Sequence, residues 1–212
     1  GFHPKPELSF GPALGLGIPS LGEILDVKLV EDLPAEEVAR RLARVSLEGI
    51  EILAVARVGD GDRALGRVLT ESEIIARLPA GTDVAAGLAR FAGAEPLIAR
   101  RESDKGIART VDVRRSLLRV GALEDASARR RLGWDAGGET VAFSVSVSNE
   151  GSARPVEVLA ALWGAEAAEA ADLARLALWA EERVDPLGIA ELRRRPDARQ
   201  ARPVATPAAP AP

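Results

Sequence analysis

Val141-Ala142-Phe143-Ser144-Val145-Ser146-Val147-Ser148 alternates strictly, apolar residue against small or hydroxyl residue, and so reads as a half-buried strand with its serines on one side. A sheet must receive that strand. Its core has few materials to draw on, because aromatic residues make up 3% of the chain and Tyr, Met and Cys are absent. Leu, Val, Ile and Ala must supply it, and with 47% apolar residues in 212 there are enough of them for one large domain or two small ones.

Other segments extend this reading in both directions. Ile24–Val30 alternates like a strand, and Asp32, Pro34, Glu36 and Glu37 then give the cap, proline and acidic first turn of a helix to about Val45. Val38, Leu42 and Val45 share one face of that helix, Gly49 is placed to end it, and Ile50–Val58 reads as a second strand, giving β-α-β. After Gly59-Asp60-Gly61-Asp62 come a strand over Glu73–Leu78, a helix capped by Thr82-Asp83 and running to Phe91, and strands over Leu97–Arg101 and Ala108–Val113 that can form a hairpin across Asp104-Lys105-Gly106. Arg114–Gly138 is a polar connection whose Arg129-Arg130-Arg131 run reads as a solvated face. A helix with Pro155 in its first turn follows the alternating strand, and Ala165–Glu182 reads as a short helix start and a closing strand.

The expected class is α+β, built as tandem ferredoxin-like units, the first lacking its opening strand and helix. The units span residues 1–64 and 65–188, and residues 189–212, rich in Arg, Pro and Ala, form a disordered tail. The competing architecture is one continuous mixed sheet with helices on one face.

Composition also removes functions. Without cysteine the chain has no disulfides, no thiolate metal sites and no ligands for an iron–sulfur cluster. One histidine cannot make a multi-histidine site, and the scarcity of rings argues against extended base-stacking platforms. No run of about 18 apolar residues is present to span a bilayer, so the expected location is the cytosol.

The segment Gly1-Phe2-His3-Pro4-Lys5-Pro6-Glu7-Leu8-Ser9-Phe10-Gly11-Pro12-Ala13-Leu14-Gly15-Leu16-Gly17 is set with three prolines and four glycines, which specify one path for backbone that is neither helix nor strand. It is expected to be an ordered loop anchored by Phe2 or Phe10. His3 and Lys5 flank Pro4 and can reach one anion, with Ser9 and the Gly11 and Gly15 amides beside them and Arg114 and Arg154 further along completing a candidate anion site. A lone histidine more often braces its own loop. Asp26, Asp112 and His3 are the only acid–base candidates, and nothing in their spacing converges them.

The run Gly1–Gly17, continued by Glu23, Leu25 and Asp26, resembles the central motif of the radical SAM-associated domain found fused to or beside cobalamin-binding radical SAM proteins; Thr110–Arg114 and Arg154-Pro155 fit the same pattern. The resemblance implies that a strand and a helix precede the motif, so the chain is expected to be a fragment. It implies an accessory domain, binding or presenting substrate for a radical SAM enzyme in RNA modification, and it carries over no catalytic residue. It also implies that the partner, in cis or in trans, holds the iron–sulfur cluster, S-adenosylmethionine and cobalamin, with none in this chain. The alternative is an independent RNA-binding or RNA-modifying domain, which the net charge of −4 opposes unless Lys5, Arg40, Arg41, Arg114, Arg115 and Arg129–Arg131 gather on one face.

Overall fold

A computed structural model describes residues 7–102, 106, 108–123, 126–135, 137–148 and 152–195. In the first sixty of these the chain forms little regular structure. Strands β1 (Leu8–Phe10) and β2 (Leu25–Val27) make an antiparallel ribbon in which Leu8 faces Val27, Ser9 faces Asp26 and Phe10 faces Leu25. Helix α1 (Ala35–Val45) starts after Pro34, has Glu36 and Glu37 in its first turn and Arg44 in its last, and suits the helix dipole at both ends. Its stripe of Val38, Leu42 and Val45 is present, yet no residue of α1 is buried. Residues 50–58 hold no strand, so the expected β-α-β of this region is a ribbon and a helix.

From Leu65 onward the chain packs. Helix α2 (Leu65–Val68) leads into β3 (Leu69–Arg77), followed by α3 (Val84–Ala92), the hairpin strands β4 (Ile98–Glu102) and β5 (Ala108–Asp112), and a 3-10 turn over Val113–Arg115. Then come β6 (Leu117–Ala122), α4 (Ala126–Arg131), β7 (Thr140–Ser146), α5 (Pro155–Trp163), α6 (Ala165–Ala170), β8 (Asp172–Ala180) and α7 (Pro186–Arg194). The fold is α+β, and its main sheet is antiparallel with strand order β6-β7-β3-β8. The two ribbons, β1-β2 and β4-β5, stay separate from it instead of joining one continuous sheet.

β7 is the alternating run of the sequence, and it decides what each sheet face carries. Val141, Phe143 and Val145 enter the main core with Ile74 and Ala76 of β3, Leu78 just after it, and Val158, Leu159 and Leu162 of α5. Period two then turns Thr140, Ala142, Ser144 and Ser146 to the other face, opposite Arg77, Ile75, Glu73 and Glu71. On the helical side α3 and α5 cross so closely that a Cβ at Gly87 would lie 2.1 Å from the Trp163 indole nitrogen. Asp83 caps α3 by accepting from the Ala86 N–H at 3.0 Å.

Four further elements differ from expectation. β6 and α4 occupy the connection read as polar linker; β6 shows no alternation because its pairing slips between Leu117 and Arg119. β3 begins at Leu69, four residues before the expected strand. Residues 189–194, expected to open a disordered tail, belong instead to α7: Asp185 caps the helix through the Gly188 N–H at 2.7 Å, and Ile189 and Leu192 pack against Leu65, Leu69 and Leu178. Residues 196–212, the rest of the expected tail, lie outside the described residues.

Candidate functional site

The motif segment is held in place from the far end of the chain. Arg175 of β8, with only 3% of its side chain exposed, spans the loop through Nη1 to both oxygens of Glu23 and to the Pro12 carbonyl, all at 2.9 Å, and through Nη2 to the Ala13 carbonyl at 3.1 Å. The backbone reinforces this, because Arg175 N–H donates to Pro19 and Leu21 N–H donates back to Arg175. Arg193 of α7 forks onto Asp26 at 2.6 and 2.9 Å while its Nε reaches the Arg63 carbonyl at 2.7 Å. Such bidentate, charge-assisted bonds fix orientation as well as contact. Gly11 completes the seat: its N–H donates to Ile24, and a Cβ there would meet Leu178 at 2.8 Å.

This clasp engages Asp26 on one face of the ribbon and leaves the other face bare. By alternation Leu8, Phe10, Leu25 and Val27 share that second face, and all four are exposed, Phe10 by 66%. Phe10 is therefore not the anchor the sequence suggests; Arg175 and Arg193 anchor the loop by charge. Phe2 lies outside the described residues.

A second polar constellation stands on the sheet. Glu71, almost wholly buried, accepts from Arg119 Nη1 at 2.8 Å and from Arg183; Glu73 accepts from Arg183 Nη2 at 2.8 Å and from the Trp179 indole N–H at 2.6 Å. The Arg183 guanidinium also lies 4.5 Å from the Trp179 ring centroid, a cation–π distance. Arg183 has φ +48°, and this left-handed turn at the end of β8 folds its side chain back over the strand it has just left.

The expected anion residues take separate posts. His3 and Lys5 lie outside the described residues. Ser9 sits in β1, and Gly11 is occupied as above. Arg114 donates to the carbonyls of Glu95, Phe91 and Arg90 at 2.7, 3.0 and 2.9 Å, closing the end of α3. Arg154 precedes α5, where its backbone N–H donates to Glu157 at 2.8 Å and its side chain is exposed. Asp112 braces the hairpin by accepting from the Leu97 and Arg114 N–H groups, each at 3.1 Å. Arg131 of the triple-arginine run reaches Glu51 at 3.5 Å.

Glu157 itself is a buried carboxylate. Burial pushes its carboxyl up, but the Arg101 guanidinium and the Arg154 N–H outweigh that and hold it below the usual carboxylate range; Arg101 is correspondingly raised by its bond to Glu157. Sequence reasoning missed Arg175, Arg193, Arg183 and Glu71 because their partners lie 152, 167, 112 and 48 residues away, and no local spacing announces them.

Among the described residues no group of three or more His, Asp or Glu side chains is placed to hold a metal ion, and no helix is long and apolar enough to cross a membrane. No curated protein and no solved structure matches the chain. One family model does, over residues 1–155, which take in the motif, both clasp carboxylates and the sheet as far as the start of α5: the chain belongs to the family described as an uncharacterized protein conserved in bacteria, DUF2344.

Proposed function

We propose that this domain is an accessory module that docks on a cobalamin-binding radical SAM protein, in the same chain or a separate one, and holds or presents its substrate, with RNA modification in the cytosol as the setting. The observation that supports it is the bare apolar surface of the motif region. Of the sixteen large apolar side chains exposed among the described residues, twelve fall between Leu8 and Leu53. Leu8, Phe10, Leu25 and Val27 among them share one ribbon face, exposed apolar patches mark interaction sites, and a specific interface needs about 20–30 residues on each side. The chemistry of such a system belongs to the partner, since this chain has no cysteine to ligate a cluster.

Titration calorimetry of the chain with a cobalamin-binding radical SAM protein from the same genome tests this reading. One-to-one binding with a negative heat-capacity change is expected. Phe10→Asp with Val27→Asp should abolish it. Binding that survives the double substitution, or no binding by the parent chain, overturns the reading.

A further inference from the structure

The second face of the main sheet is covered unequally. At one end Trp134, Ala128 and Leu132 close over Ile75 and Ala174 and make a small apolar core. At the other end the side chains standing over the strands are polar: Glu71, Glu73, Ser144, Ser146, Arg119 and Arg183, with the Trp179 ring among them. Two carboxylates and two guanidiniums balance in charge, so the patch is not a simple basic surface.

The two arginines are prepared rather than merely present. Arg183 has one Nη on Glu71 and the other on Glu73, which fixes its plane against Trp179, and its side chain is still 29% exposed. Arg119 is 56% exposed, and among the described residues only its Nη1 has a hydrogen-bond partner, leaving Nε and Nη2 as an open fork. Both oxygens of Glu71 and Oε2 of Glu73 meanwhile accept from Arg119, Arg183 and the Trp179 indole, so the two carboxylates orient the guanidiniums and are each partnered by a cation.

We infer that this patch binds a planar nucleobase carrying a phosphate, the base stacked on the outer plane of the Arg183 guanidinium and the phosphate on the open fork of Arg119. Guanidinium planes and aromatic rings are the surfaces on which unstacked bases rest, and the arginine fork matches phosphate in two parallel bonds. With one stacking position, the patch suits one or two nucleotides and not an extended strand. The ligand is a free nucleotide or the same unit within single-stranded RNA. This site is on the sheet, apart from the ribbon proposed to dock the partner, and stands or falls independently of that docking.

The test uses the full chain and two probes, AMP and a single-stranded octa-adenylate, followed by calorimetry and by tryptophan emission. Emission should change on binding, and Trp179→Phe should remove the change while Trp134 and Trp163 remain. Arg119→Ala should weaken binding about tenfold, the scale of one bidentate contact, and lower the salt slope by about one phosphate. Arg115→Ala, at an exposed arginine beside the sheet, should leave affinity as it is. Binding of AMP alone identifies a nucleotide site; octa-adenylate binding with AMP silent identifies single-stranded RNA. Silence of both probes at about millimolar concentration overturns the inference. So does octa-adenylate binding that Arg119→Ala leaves unchanged, which assigns the affinity to arginines elsewhere. Arg119 is an exposed strand residue, so its variant is expected to fold even where Arg183→Ala does not, and near-ultraviolet circular dichroism checks this.

Discussion

Two regions of this chain use similar sequence patterns to opposite effect. Among the described residues every buried apolar side chain lies between Leu65 and Leu192, while most of the exposed ones lie between Leu8 and Leu53. The contrast is sharpest in the helices. α1 has an ordered apolar stripe, a proline start, acidic and basic ends and a Glu37 carboxylate bonded to Arg40 and Arg41, and it buries nothing. α3 has a shorter stripe and a single Asp83 cap, but it lies against α5 and the sheet. An eleven-residue helix is marginal alone, and pairs at i,i+4 add only a few tenths of a kcal/mol, so packing and not local pattern separates the two. The motif region thus owes its place to a few long-range ion pairs, and the sheet region to its core.

The largest expected effect breaks the core side. Phe143 is 1% exposed, and Phe143→Ala should cost about 3–5 kcal/mol in urea or guanidinium unfolding. A loss below about 1 kcal/mol would mean that the sheet is not the stabilising half.

Next comes the Arg101–Glu157 pair that ties the β4-β5 hairpin to α5. Arg101→Ala leaves a carboxylate buried to 4% side-chain exposure without its cation, which should cost about 3 kcal/mol near neutral pH. The acid response gives a second readout. Glu157 is depressed below its ordinary value of 4.5, so its contribution is present above that value and is lost as pH falls through the folded-state value. Without Arg101 the carboxyl loses its strongest lowering partner and rises from its depressed value, so the deficit of the variant should shrink on acidification. A deficit that is constant with pH would show that the pair contributes through packing alone.

The clasp should give a smaller and local effect. Asp26→Asn removes a charged acceptor from Arg193 and should open the ribbon by about 1–2 kcal/mol, a 5- to 30-fold loss of amide protection in β1 and β2. Protection in β3 and β7 should not move. If it does, the ribbon and the sheet unfold together and the two-region contrast fails.

Much of the sheet region was legible because burial on one face leaves a period in the chain. The alternation from Val141 places β7 within two residues, and the Asp83, Pro155 and Ala165 signals place the starts of α3, α5 and α6. β6 was hidden by its bulge and by Gly121, and α7 by the arginines at its end, Arg193 among them, which is buried in an ion pair rather than solvated. In the motif region the stretch from Gly11 to Gly17 is irregular, as its punctuation suggests, but Leu8–Phe10, read as part of the same loop, is strand β1, and the anchors left no local sign. A glycine or proline reports its own backbone, whereas Arg175 and Arg193 are recognisable only once the fold brings β8 and α7 to Glu23 and Asp26.

The smallest expected effect is the most pointed, and it concerns Phe10. A phenylalanine in a conspicuous motif would ordinarily be assigned to the core, where its removal costs about 3–5 kcal/mol. Here the ring is 66% exposed and shares its ribbon face with Leu8, Leu25 and Val27, each also exposed. Phe10→Ala should therefore change the stability of the isolated chain by no more than about 0.5 kcal/mol, the range of ordinary surface substitutions. The same substitution should weaken the association with the proposed partner by about 2 kcal/mol or more, because aromatic anchors at the centre of an interface carry most of its energy. Unfolding of the chain alone and calorimetry with the partner, run on one variant, separate a side chain kept for folding from one kept for docking. A large loss in the first measurement would place Phe10 in the core and remove the bare face on which the docking proposal rests.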